Sequence, residues 1–292
     1  MNILVTGANG LLGSALIDEL CKEHVVYALV RTLPKHRAKK WNIHYIKMDL
    51  TSIDVFKMPS NVDAVYYLAQ SNRFREFPEG ALDMLNINIY AALRLVDWSQ
   101  KNEVKQFFYT SSGGVYKNTI EPVQESFEIN ANIKNGFYLD SKLSAEILLR
   151  NFSALFETFS IIRPFFMYGP GQNQSMLIPR LINNIIEGNE IVLAGEKGIS
   201  INPIYIDDAV EAMINLLQTK GESLYNIAGN EVVSIKDLAE KIGEIVKTSP
   251  IFKVEDNKQL DLIADTAKMH KNLTVPKISL DEGLFNVYKA MS

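Results

Sequence analysis

The chain has 292 residues, 47% hydrophobic and 22% charged, with a formal net charge of −4; it is long enough for one α/β domain carrying a smaller lobe and too apolar to be disordered. The acidic balance argues against nucleic acid as a partner, and the absence of any apolar run of membrane-spanning length argues against a membrane one. A single cysteine, Cys21, and a polar, glycine-rich start lead to the expectation of a cytoplasmic protein with no disulfide and no signal peptide.

In chain order, residues 2–6 (NILVT) are an apolar run that stops at Gly7 and reads as a buried strand. Residues 11–22 then place apolar side chains at 11, 12, 15, 16 and 20, the spacing of a helix with one buried face. Further strands are expected at 25–30, 43–48, 63–68, 105–110 and in FSIIRP ending at Pro164. Helices are expected at 79–101, with Leu82, Leu85, Ile89, Leu93 and Val96 along one side, and at 136–155. Strands alternating with helices require a parallel sheet covered on both faces.

Beyond Pro164 a Gly/Pro loop, YGPGQNQ, precedes a helix at 176–187 and a short strand at 191–193. Residues 203–227 read as a return to the main sheet through a strand PIYI, a helix and a strand SLYNIA. The expectation is a doubly wound parallel-sheet α/β domain of the Rossmann type formed by residues 1–165 and 204–228. Residues 166–203 and 229–292 would form a smaller, discontinuous substrate-binding lobe.

Gly7-Ala8-Asn9-Gly10-Leu11-Leu12-Gly13 lies where the first strand turns into a helix. Gly7 permits the tight turn, Gly10 lets the backbone approach a pyrophosphate, and Gly13 lets the helix pack on the strand. The free amides and positive end of the helix then face the anion. Gly7, Asn9, Gly10, Leu11, Leu12 and Gly13 are therefore candidate dinucleotide contacts; the other reading is a glycine-rich turn without a ligand. At the end of the second strand, where an acid would take a ribose 2′-hydroxyl, stands Arg31, followed by Lys35, His36, Arg37, Lys39 and Lys40. A forked guanidinium suits a 2′-phosphate, so NADP(H) is favoured and NAD(H) is the alternative. A solvated basic loop is the other reading of these residues.

Tyr138 and Lys142 form YxxxK near a helix start, one turn apart on one face. A tyrosine with an ordinary pKa of ~10 is a poor base, and a nearby cation favours its phenolate. Two further segments flank this pair in sequence: Thr110-Ser111-Ser112-Gly113-Gly114-Val115-Tyr116 at the end of the fifth strand, and Arg163-Pro164 with Tyr168-Gly169-Pro170.

Taken in order, TGxxGxxG, SSxxVY, YxxxK and RP…YGP resemble the extended short-chain dehydrogenase/reductases, the family of nucleotide-sugar epimerases, dehydratases and reductases. The resemblance runs along nearly the whole chain. It implies that Ser112, Tyr138 and Lys142 are catalytic, with Tyr138 exchanging a proton with the substrate oxygen while the nicotinamide exchanges a hydride. It also implies that Lys142 grips the nicotinamide ribose and that Asn88 braces the catalytic helix. Asp49 and Leu50 would lie by the adenine, Leu68 and Ala69 would line the cofactor cleft, and Pro164 would contact the nicotinamide. A symmetric homodimer is implied, with Leu82, Leu85, Leu93, Ile147, Leu148 and Phe152 as candidates for its apolar seam.

Departures from the family pattern narrow the reaction. Gly113 and Gly114 occupy the places of the Asp-Glu pair that a 4,6-dehydratase uses, so dehydration is not expected. The usual arginine of the substrate lobe falls at Ile201, and a later one is missing around Asn257–Asp265. Lys197, Lys253, Lys258 or Arg180 are candidate replacements on a nucleotide diphosphate, and Asn173, Gln174 and Asn202 are candidate polar contacts. The histidines show no metal-ligand spacing. The expected function is NADPH-dependent reduction of a 4-keto nucleotide sugar, with Tyr138 as proton donor. The alternatives are an NAD-dependent nucleotide-sugar 4-epimerase, a reductase of a non-nucleotide carbonyl (which Phe165-Phe166-Met167 would suit), and a non-catalytic NAD(P)-binding scaffold.

Overall fold

The first strand, β1 (Asn2–Thr6), is buried from Ile3 to Thr6 and hydrogen-bonds in parallel to β2 (Val25–Val30) on one side and β4 (Ala64–Tyr67) on the other. The computed structural model describes residues 1–34, 41–117, 121–130, 132–256 and 261–291. Lys35, His36, Arg37, Lys39 and Lys40, together with Asn257 and Lys258, lie outside the described residues.

Helix α1 (Leu11–Leu20) connects β1 to β2, and β3 (Ile43–Lys47) pairs beside β2. After β4 come α2 (Ala81–Met84), a wide turn over Leu85–Ala91, α3 (Ala92–Lys101), β5 (Gln106–Thr110), α4 (Phe137–Leu149) and β6 (Thr158–Pro164). The remaining elements are α5 (Leu177–Glu187), β7 (Glu190–Ala194), β8 (Ser200–Ile201), α6 (Ile206–Asn215) and β9 (Gly221–Ile227). They continue with β10 (Val233–Ser234), α7 (Ile235–Val246), β11 (Ile251–Glu255), α8 (Ala267–Asn272) and α9 (Leu280–Met291).

Seven strands form one sheet in the order β3-β2-β1-β4-β5-β6-β9. The order reverses at β1 and β4, so the crevice beyond their carboxyl ends is the switch point where doubly wound sheets bind ligands. This is the expected α/β plan. Among the described residues, no helix is long and apolar enough to cross a membrane.

The chain divides into two compact units, one of residues 1–115, 128–163 and 213–225, the other of 116–127, 164–212 and 226–292. The expected division had grouped 204–228 whole with the sheet domain. Local bonding explains the difference: Tyr168 N–H donates to Ile204 O at 3.0 Å and Ile206 N–H to Tyr168 O at 2.8 Å, while the Asn226 amide donates to Val123 O at 2.9 Å. Residues 203–205 are therefore not a strand of the main sheet. They carry one bridge, Tyr205 to Tyr168, and α6 begins at Ile206.

The expected single helix over 79–101 is interrupted by the wide turn at Leu85–Ala91, where each N–H reaches one residue further back than in an α-helix. The carbonyls this loosens find buried partners: the Tyr67 hydroxyl donates to Ile87 O at 2.5 Å and the Tyr109 hydroxyl to Asn88 O at 3.1 Å. The turn also changes which face is buried. Met84, Ile87, Asn88, Ala91, Leu95 and Val96 point inward, and Leu82 is 72% exposed. Of the candidate dimer seam, Leu82, Leu85, Ile147 and Leu148 are exposed. Leu93 and Phe152 instead pack against the core.

Candidate active site and cofactor cradle

Gly7 has φ of +68°, a conformation that favours glycine, and a Cβ there would lie 2.9 Å from Ala69 N. At Gly13 a Cβ would sit 2.2 Å from Gly7 O, and at Gly10 3.2 Å from the same atom. The turn thus folds tightly against the segment after β4, and side chains at these glycines would fill it. Thr6 completes the junction, its buried Oγ1 accepting from Leu68 N–H at 3.1 Å and Ala69 N–H at 3.2 Å. Helix α1 starts at Leu11 with no side-chain cap and no acid in its first turn. A phosphate is the chemical partner such a helix end accepts. Asn9 donates to Thr32 O at 2.6 Å, which joins the turn to the end of β2.

Arg31 is exposed just beyond β2. Asp49 caps the turn Leu50–Ser52, accepting from the Thr51 N–H at 2.9 Å and the Thr51 hydroxyl at 2.8 Å. These bonds, with Arg31 adding a smaller electrostatic pull, hold its carboxyl below the usual range. Leu50 belongs to the core, at 9% exposure.

Ser112, Tyr138 and Lys142 meet in the first unit. Ser112 follows β5 in a turn in which its Oγ accepts from Gly114 N–H at 3.2 Å. A Cβ at Gly114 would lie 2.9 Å from Leu139 Cδ2, so a side chain here would displace Leu139. The Tyr138 hydroxyl donates to Gln70 Oε1 at 2.8 Å, and its ring packs on Phe74 with centroids 5.3 Å apart. Burial pushes the phenol up to about 12, with the Ser112 hydroxyl acting in the opposite sense. Lys142 is fully buried; it donates to Thr110 O at 2.9 Å and lies 5.2 Å over the Tyr109 ring. Burial pulls Lys142 down to about 7, opposed by the charge of Glu146. Desolvation acts on both groups and disfavours both charged forms.

In the support around this trio, one buried ion pair has no sequence motif to mark it. Glu146, one turn after Lys142, forms a buried two-point ion pair with Arg163 of β6, its Oε1 accepting from Arg163 Nε at 3.0 Å. Only a helical i, i+4 count from Lys142 could have singled it out. Asn88 is fully buried; its Nδ2 donates to Ser141 Oγ at 2.9 Å, between Tyr138 and Lys142.

In the second unit, Pro164 lies at the end of β6 and is half-buried. Phe165 is 1% exposed and stacks on Tyr116 with centroids 6.0 Å apart, so it belongs to packing. Ile201 is fully buried in β8, where an arginine would have no solvent. Asn202 is 3% exposed, and its amide donates to Gly229 O and Ala264 O and accepts from Ala264 N–H. Those three bonds tie its loop down internally. Asn173 is exposed and caps its own turn by accepting from Ser175 N–H at 2.9 Å. Arg180 is exposed on α5, and Lys197 is exposed after β7.

The glycine cradle and this trio lie within a stretch, residues 3–228, that matches the model of the NAD dependent epimerase/dehydratase family. The chain belongs to this family. It is an enzyme of the extended short-chain dehydrogenase/reductase type. It is 25% identical to a dTDP-D-glucose 4,6-dehydratase of Mus musculus over 97% of this chain and 86% of that protein. With a UDP-glucuronate 4-epimerase of Thermodesulfobacterium geofontis it shares 25% identity over 96% of this chain and 93% of the relative. A crystal structure of UDP-glucuronic acid 4-epimerase from Bacillus cereus, in complex with UDP-glucuronic acid and NAD, superposes with a TM-score of 0.87. The two are 26% identical, and the match covers 100% of this chain and 99% of the other.

Proposed function

We propose that this enzyme is an NAD-dependent 4-epimerase of a nucleotide sugar. The observation that carries the reading is the set Ser112, Tyr138 and Lys142 beside Gly113 and Gly114. It has one proton-exchanging group and no second acid and base for eliminating water. The likeness to nucleotide-sugar 4-epimerases along almost the whole chain supports it, and the cradle at Gly7, Gly10 and Gly13 fits a dinucleotide pyrophosphate.

When bound, the nicotinamide supplies the acceptor and later the donor of a hydride. The chain supplies the rest. Tyr138 takes the proton of a sugar hydroxyl as its carbon is oxidised, then returns a proton when the other face of the carbonyl is reduced. Ser112 donates a hydrogen bond to the same sugar oxygen as charge develops on it. Tyr138 needs positive charge nearby to act as a base, and Lys142, with a pKa near 7, can carry it at neutral pH.

A second reading, NADPH-dependent reduction of a 4-keto nucleotide sugar, is favoured by one observation: Arg31, not an acid, follows β2. The test is to identify the dinucleotide that copurifies, then to incubate the protein with UDP-glucuronic acid and UDP-glucose without added cofactor. Copurified NAD and formation of the 4-epimer are expected. Conversion of a 4-keto sugar only with added NADPH, together with an Arg31→Ala variant whose NADPH affinity falls about tenfold more than its NADH affinity, would replace the epimerase reading with the reductase one.

A further inference from the structure

Gln70 follows Ala69 directly and is exposed, yet the backbone on both sides of it is pinned. Ala69 N–H donates to the buried Thr6 hydroxyl, and Ser71 N–H donates to Asn88 Oδ1 at 3.2 Å. The Ser71 hydroxyl donates to Asp83 and accepts from Arg73 N–H at 3.0 Å. From Asn88 the chain of bonds continues through Nδ2 to Ser141 Oγ, and from the Ser141 hydroxyl to Tyr138 O at 2.7 Å. The Tyr138 hydroxyl then closes the ring on Gln70 Oε1 at 2.8 Å. The catalytic tyrosine is held at both its backbone and its hydroxyl by one closed circuit, and Gln70 is the member that touches the proton to be exchanged.

We infer that Gln70 is a positioning residue for Tyr138, its amide oxygen fixing the hydroxyl as a donor and so favouring the protonated tyrosine over the phenolate. A carbonyl oxygen can accept a proton in a hydrogen bond but offers nothing to a phenolate except repulsion between lone pairs. Ser112 has a proton of its own to give and acts in the opposite sense. The charged and titratable groups on the elements meeting Tyr138 are Asp140, Lys142 and Glu146 on α4, Tyr109 on β5, and Arg73, Arg75, Glu76 and Glu79 on the segment before α2. Of these, Arg73 is paired with Glu76 at 2.6 Å, and Arg75 lies over the Phe74 ring. Changing Gln70 removes none of these eight groups.

The inference rests on the catalytic reading of Tyr138 only for its effect on turnover, so its test has two readouts. With 3,5-difluorotyrosine in place of Tyr138 and NAD added, the ionisation of that one phenol is followed by fluorine NMR. Gln70→Ala should lower its midpoint by about half to one pH unit, the worth of one hydrogen bond. Gln70→Glu keeps the acceptor but adds a charge, and should raise the midpoint by about one unit or more. The acidic limb of the kcat profile of the unlabelled variants should move in the same two directions, with unchanged KM for the nucleotide sugar. Shifts of the same sign in both variants, or no shift, would overturn the role given to Gln70. Opposite NMR shifts with an unmoved kcat limb would leave Gln70 as the partner of Tyr138 and sink Tyr138 as the catalytic acid/base.

Discussion

The segment from Gly7 to Gly13 was expected to meet a pyrophosphate and the segment from Gly195 to Asn202 to offer substrate contacts, and they are built in opposite ways. The first leaves its helix end uncapped and keeps side chains out of the turn. In the second, the position of the family arginine is a buried isoleucine, and Asn202 spends its whole amide on Gly229 and Ala264. Nearby acids behave like Asn202. Asp208 accepts from the N–H groups of Lys277 and Ile278 at 2.9 and 3.1 Å, and Glu231 accepts from Leu280 N–H at 2.7 Å. A site that binds leaves polar groups unsatisfied by its own chain, whereas a segment that uses them internally has turned recognition chemistry into stability.

The largest effect that would test this contrast lies in the first unit. Tyr138→Phe should retain the fold and cofactor binding while lowering kcat by ~10²–10⁴-fold, the usual worth of a positioned acid/base. Turnover within a factor of two of the parent enzyme would show that the first unit, too, uses its tyrosine for structure.

The second test bears on Asn202. Removing its amide leaves the buried Ala264 N–H unpaired, so Asn202→Ala should destabilise the protein by about 2–3 kcal/mol in urea unfolding, with NAD affinity unchanged. A raised KM for the nucleotide sugar at unchanged stability would restore Asn202 to the substrate site.

The smallest effect concerns Lys142. Its folded value near 7 lies below the ordinary lysine value of about 10.4. Between those limits the unfolded chain binds more protons than the folded one, so stability rises with pH; below the folded value both states are charged and the slope vanishes. The ligand-free protein should therefore gain about 1 kcal/mol per pH unit between pH 7 and 9 relative to Lys142→Met. Parallel stability profiles would mean that Lys142 keeps an ordinary pKa despite its burial.

Local chemistry explains what could be read in advance. The glycine turn was legible because only glycine tolerates the positive φ at Gly7 and the contact of 2.2 Å that a Cβ would make at Gly13. Tyr138 and Lys142 were legible because a spacing of four puts two side chains on one helical face. The helix over 79–101 was misread for an equally local reason. The wide turn adds one residue, which rotates everything beyond it by about 100°, and no propensity marks where it falls. It is decided by Tyr67 and Tyr109, on two strands, whose hydroxyls take up the loosened carbonyls.

By itself the sequence determined the alternation of strands and helices, the glycine turn and the placing of Tyr138 and Lys142 on one helical face, because each depends on residues within about one helical turn or one strand of each other. Only the tertiary structure decided which polar groups remain for a ligand. Gln70 lies 68 positions from Tyr138, Glu146 17 from Arg163, and Asn202 62 from Ala264. Whether an amide or a carboxylate recognises a substrate or holds a loop depends on which distant backbone group folding brings within about 3 Å of it.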